Sequence, residues 1–331
     1  LKISILDQAP ISSGYTPKEA LEASAGLAQA GERLGYTRYW IAEHHDLSGL
    51  ACSAPEIMLS YIGAKTEKIR IGAGAILLPH YKPYKIAELF NMLATLFPDR
   101  IDLGIGRAPG GSAEAAMALS DQFLEGVRKM PETVKDLLQF LNKDFPEDHM
   151  FSRISASPVP KVSPEPWILG TSCKSALMAA ENGAAYAFGQ FMSEKDGEEI
   201  IRQYRKNFKV RGSLQQPKVV LTVSAICAET AEEAKELALS SMLWRMKTDK
   251  GEGNHGIPSI EEAKSYFFRN VNQDPFNKKS SLIIGNPKNV AQELRDMQHR
   301  YQADEIMIVT IVHRYEDRLR SYELIAEEVL S

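Results

Sequence analysis

The 331-residue chain is predicted to fold as a single (β/α)8 TIM barrel with insertions, an α/β architecture, and three observations carry that prediction. Short β-rich runs alternate with longer helical patterns, as parallel βα units require. The runs number eight. The residues best suited to chemistry follow directly after four of them, at the face where barrels of this class keep their active sites. A doubly wound open sheet is the alternative, because a linear sequence does not show whether the sheet closes.

The first run is Ile3 to Leu6. Thr16-Pro17-Lys18-Glu19 then supplies an N-cap, a proline at the first helical position and a capping-box glutamate, and Gly35 ends the helix that follows. Further strands are expected at Arg38 to Ala42, Ile69 to Ala73, Ile101 to Ile105, Trp167 to Gly170, Ala184 to Phe188, Val219 to Ile226 and Glu305 to Val309. Helices are expected at Ala54 to Ala64, Pro83 to Leu96, Asp121 to Leu141, Ser175 to Asn182, Glu194 to Phe208, Thr230 to Trp244 and Pro287 to Tyr301, with a last one at Tyr315 to Val329. Two segments, 142–166 and 247–281, exceed ordinary loop length and read as insertions in one domain spanning 1–331. The second carries Gly251-Glu252-Gly253-Asn254-His255-Gly256 and is the better candidate for an active-site cover.

Composition narrows the function classes. With 39 basic against 43 acidic residues and no run of like charge, nothing marks a nucleic-acid or membrane surface. No apolar stretch reaches the roughly 20 residues of a spanning helix, and the start lacks a signal-peptide layout, so a soluble cytoplasmic protein is expected. Cys52, Cys173 and Cys227 are odd in number, far apart and without C-x-x-C spacing, which argues for free thiols over disulfides or a zinc ribbon.

Four strand ends carry equipment. Ala42-Glu43-His44-His45 places two adjacent imidazoles after the second strand. They point to opposite faces of an extended chain, so both cannot easily ligate one metal, and no metal site is expected. Glu43 reads as structural or as a partner to a histidine, and His80 as a loop residue or as one that reaches the substrate. Ile71-Gly72-Ala73-Gly74-Ala75 ends the third strand in small residues, which suits either a flat ring lying on the backbone or tight packing. Gly104-Ile105-Gly106-Arg107-Ala108-Pro109-Gly110 has the wrong glycine spacing for a dinucleotide fingerprint, leaving Arg107 as a fork-shaped donor suited to phosphate or as a solvated arginine. Gly170-Thr171-Ser172-Cys173-Lys174-Ser175 sets hydroxyls at a helix start, either for an anion or merely as a cap.

Taken together, these segments and the tail 304–322 resemble the bacterial luciferase-like flavin monooxygenases, in their single-chain oxidoreductase branch. The resemblance runs from Ile3 to about Ala326 and implies a (β/α)8 barrel. It further implies His44 as catalytic with His45 its neighbour, a non-prolyl cis bond at Gly74-Ala75 beneath the flavin, and Arg107, Gly170, Thr171, Ser172 and Ser175 around the flavin phosphate. The implied chemistry is oxygenation of a small organic substrate by O2 through a peroxyflavin, with reduced FMN delivered by a separate flavin reductase, and with His44 changing charge near neutral pH. A homodimer paired through outer helices is implied as well. Where light-emitting subunits carry a reactive cysteine this chain has Gly106, so light emission is not expected. The family also includes F420-dependent oxidoreductases and flavin binders of little activity, which stand as alternatives.

Overall fold

The computed structural model describes residues 1–212, 214–250, 256–269, 276 and 281–331. Parallel strands β1 (Ile3–Asp7), β2 (Arg38–Ile41), β3 (Arg70–Leu77), β4 (Ile101–Gly106), β5 (Glu165–Gly170), β6 (Ala185–Gly189), β7 (Val219–Cys227), β8 (Leu282–Gly285) and β9 (Glu305–Val309) share one sheet. Neighbours pair in order from β1 to β7, β7 pairs with β9, and β9 returns to β1, so eight strands close into the expected barrel. The closure rules out the open doubly wound sheet. The eight ring strands are the eight runs expected.

β8 is an addition outside the ring. β7 gives residues 220–224 to β9 and then, projecting past the ring, 224–227 to β8. A run as short as Leu282-Ile283-Ile284-Gly285 beside an insertion does not stand out in a sequence.

The helices are α1 (Pro17–Leu34), α2 (Pro55–Gly63), α3 (Pro83–Leu96), α4 (Ala113–Leu119), α5 (Phe123–Arg128), α6 (Met130–Asn142), α7 (Cys173–Glu181), α8 (Gly197–Asn207), α9 (Ala231–Asp249), α10 (Ile260–Arg269), α11 (Pro287–Tyr301) and α12 (Tyr315–Val329). The capping box of α1 forms as read: Thr16 Oγ1 accepts from the Glu19 amide, Glu19 Oε2 accepts from the Thr16 amide, and Gly35 closes the helix at φ 86°. The single helix expected over 121–141 is instead two, because Pro131 cannot donate into a preceding turn and starts a new helix after Lys129. α4 and α10 were not expected. The latter lies within the 247–281 insertion, of which 251–255, 270–275 and 277–280, including most of the glycine-rich stretch, lie outside the described residues. Among the described residues no helix is long and apolar enough to cross a membrane.

Alternation along the strands sorts side chains to the outer helices or to the lumen. The lumen holds Leu6, Trp40, Trp167, Val220 and Met307, with the two indoles edge-on at 5.3 Å. Its N-terminal end is ionic. Arg38 donates Nε and Nη2 to Glu305 at 2.8 and 3.1 Å and Nη1 to Asp102 at 2.6 Å, and its guanidinium lies 4.7 Å from the Trp167 ring. Arg70 and the Trp40 indole also donate to Asp102. Burial alone would raise the Asp102 carboxyl, but Arg38 and Arg70 beside it hold it below the usual carboxylate range.

The small residues of β3 are explained by this filling. A Cβ at Gly72 would stand 2.6 Å from Asp102 Cβ and 2.8 Å from Trp40 Nε1, and one at Gly74 would stand 2.8 Å from Leu6 Cδ1. Tight packing therefore accounts for both glycines without a ligand.

Replacing Arg38 with Met should cost about 3 to 5 kcal/mol in urea denaturation, because it strands two buried carboxylates. A loss under about 1 kcal/mol would show that the network does not hold the barrel together.

Candidate active site

β2 ends at Ile41, and the next four residues are fixed by bonds to three neighbouring segments. His44 N–H donates to Cys52 O at 2.9 Å and His45 N–H donates to Gly110 O at 2.8 Å. The Glu43 carboxylate is buried and fully used: Oε2 accepts from Leu77 N–H at 2.9 Å, and Oε1 accepts from Tyr81 Oη at 2.6 Å and pairs with His45 Nε2 at 2.8 Å. Glu43 thus ties the end of β2 to the end of β3. It also occupies His45, whose Nε2 donates inward.

His44 is different. Its Nδ1 is shut off from solvent and meets no partner among the described residues. Burial, followed by the neighbouring His45, lowers its pKa to about 4. The expected charge change near neutral pH is therefore corrected: in the free protein His44 is a neutral imidazole at pH 7, able to accept or relay a hydrogen bond without carrying charge.

On β3 the Gly74-Ala75 peptide is cis, and the pairing with β4 slips there by one residue, Ala73 facing Leu103 but Ile76 facing Ile105. Arg107, just past β4, is exposed and makes no hydrogen bond or ion pair among the described residues. Its loop folds back on the histidines. Gly110 accepts from His45, Pro109 O receives His80 Nε2 at 2.9 Å, and a Cβ on Gly111 would lie 1.9 Å from His45 O. Only glycine fits at 111.

Past β5, Ser172 caps α7 and Ser175 completes the box, its Oγ donating to Ser172 O at 2.7 Å and lying 3.1 Å from Tyr186 Oη. Tyr186 Oη in turn donates to Gly170 O at 3.2 Å. The two serine hydroxyls are thus engaged in the cap. The first amides of the helix, those of Cys173 and Lys174, have no intrahelical acceptor, and the Thr171 hydroxyl has no partner among the described residues.

Because β2, β3, β4 and β5 are successive neighbours in the ring, these four strand ends form one continuous arc of the mouth. His44, His45, Gly74, Ala75, Arg107 and the 170–175 segment all lie on it. Across the mouth a cavity of about 290 Å³ is lined by Gln8 after β1, Phe191 and Met192 after β6, Val309 of β9, and Trp244 and Arg245 of α9, among others. None of these was singled out by sequence. They come from separate elements and share no motif, whereas the tethering by Glu43 was readable in part from its place beside two histidines. Among the described residues no three histidine, cysteine, aspartate or glutamate side chains are grouped to hold a metal.

If burial depresses His44, the folded form binds fewer protons than the unfolded chain between pH 6.5 and about 4. Its contribution to stability is then present above pH 6.5 and lost as the pH falls toward 4. His44→Gln should narrow the difference in urea midpoint between pH 7.5 and pH 4.5, and an unchanged difference would show that His44 is not buried as described.

A family model described as luciferase-like monooxygenase matches residues 1–303. Protein YceB of Bacillus subtilis (strain 168), itself uncharacterized, is 42% identical over 99% of both chains. The N-acetyl-S-alkylcysteine monooxygenase of the same organism is 34% identical over 100% of this chain and 99% of the relative. Among solved structures, apo-MsnO8 superposes with a TM-score of 0.90 at 34% identity, covering 99% of this chain and 98% of that one.

Proposed function

The chain belongs to the luciferase-like monooxygenase family, and from that premise we propose that it is an FMN-dependent monooxygenase that uses reduced flavin from a separate reductase and O2 to oxidise a small organic molecule. The observation that carries the cofactor part is Arg107, an exposed guanidinium without a partner among the described residues, at the strand end next to the start of α7. A cation and a helix N-terminus side by side favour a phosphate.

The residues present fit that group. Arg107, the Cys173 and Lys174 amides and the Thr171 hydroxyl would hold the phosphate, with Gly170, Ser172 and Ser175 fixing the helix start around it. Ala75, whose side chain ends at Cβ, would leave the wall of the mouth low enough for a flat ring to lie over the Gly74-Ala75 peptide. Reduced flavin, when bound, supplies the two electrons that let O2 react with an organic substrate. His44, neutral and with an unmatched Nδ1, holds or passes a proton at the mouth, while Glu43 and His45 keep it in place. The apolar walls exclude water from the reacting atoms.

A cytoplasmic homodimer is part of the proposal. Its support is an apolar face of Ile57, Tyr61, Met92 and Leu96, all exposed on the adjacent helices α2 and α3. The alternatives, an F420-dependent oxidoreductase and a flavin-binding protein without activity, place a phosphate-bearing cofactor in the same arc.

Anaerobic titration with reduced FMN should show binding that Arg107→Ala weakens by about tenfold or more, the loss of a charge-assisted bond. Admission of O2 with substrate should then give turnover that His44→Ala abolishes while leaving flavin affinity within about twofold. Indifference to FMN with binding of F420 would replace the cofactor, and turnover that survives His44→Ala would remove His44 from the chemistry.

A further inference from the structure

The cavity across the mouth has its own chemistry. Four hydroxyls line it, and each already donates to a backbone carbonyl: Ser224 to Val309, Ser241 to Ala238, Thr248 to Trp244 and Ser281 to Phe191. Their protons are committed, so most of the wall behaves as apolar surface. About 290 Å³ is roughly twice the cavity known to take a benzene, enough for a short aliphatic or thioether chain.

Among the described residues, charge enters from one side. Arg245 and Asp249 both line the cavity and stand one turn apart on α9, where an arginine and an aspartate ordinarily meet. Here they pair neither with each other nor with any other described residue, although nearby Lys247 is matched to Glu262 at 2.7 Å. Asp249 is also the last residue of α9, where the partial negative charge of the helix end adds to its own. Among the described residues, one helix face therefore offers an unmatched cation and, a turn later, an unmatched anion at a helix C-terminus, above an apolar hollow.

We propose that this cavity binds a free α-amino acid with an unbranched apolar side chain, its carboxylate on Arg245, its ammonium on Asp249 and its side chain directed into the hollow. A carboxylate alone would leave Asp249 opposed, and an amine alone would leave Arg245 opposed. The zwitterion satisfies both. As the substrate of the proposed oxygenation the amino acid rests on the reading above, but its binding to the free protein does not require flavin, so failure of FMN binding and failure of amino-acid binding are separate results.

The test is a ligand-observed NMR titration of the full chain with L-norleucine, with hexanoate, which lacks only the ammonium, and with pentylamine, which lacks only the carboxylate. Norleucine should bind at least about tenfold more tightly than either. Arg245→Gln should erase its advantage over pentylamine, and Asp249→Asn its advantage over hexanoate. Both positions are exposed, so neither change threatens folding. Equal binding of hexanoate or pentylamine, an advantage that survives both substitutions, or tighter binding of N-acetylnorleucine than of norleucine would each overturn the assignment.

Discussion

The ion pair between Arg38 and its two carboxylates is the constraint on which the rest of the molecule depends. Asp102 stands on β4 and Glu305 on β9, with Arg38 on β2 between them, so one guanidinium spans the lumen and joins strands that are not neighbours. Ser4 of β1 also donates to Glu305, and Arg70 of β3 donates to Asp102. Ladder bonds set the register of adjacent strands, but the network sets the shape of the ring. Such a pair gives little net stability over an apolar replacement of equal volume, yet removing one member is costly. Its consequence here is geometric, since it places Trp40 and Trp167 one layer higher and so decides which wall must be built from glycine.

From that layer the order passes to the mouth. Trp40 precedes Glu43 by three residues, and Glu43 binds the amide of Leu77 two residues past Ala75. The ends of β2 and β3 are therefore held together by one buried carboxylate rather than by the ladder, and the loop after β4 leans on His45 in turn. An aspartate or glutamine at 43 would change the reach or the charge of this junction and move His44 without touching it. The imidazole is kept neutral by the same burial that keeps it in position.

Much of this was legible in the sequence, and the physical reasons are specific. The eight ring strands showed because each is a short apolar run between strong helix signals, of which Thr16-Pro17-Lys18-Glu19 is the clearest. The arc of His44, Arg107 and Thr171 showed because strand ends in a barrel converge whatever the loops do. What did not show depends on three-dimensional neighbours. Gly74 reads equally as a ring cradle or as packing until Leu6 and Trp40 are seen against it. The depressed pKa of His44 depends on burial, which no four-residue motif reports. Arg245 and Asp249 look like any solvated pair on a helix until the hollow beside them is known.

The split pairing of β7 bears on the shape of the cavity. Its first half completes the ring with β6 and β9, while its second half carries β8 outside that ring. The chain leaves the closed ring after Ser224 and rejoins it at Glu305, so the hydrogen bonds of closure are indifferent to what lies between. Up to α11, which packs Val290, Ala291 and Leu294 back into the core, that interval supplies α9 and one wall of the cavity, so the shape of the cavity is set by residues that take no part in closing the ring.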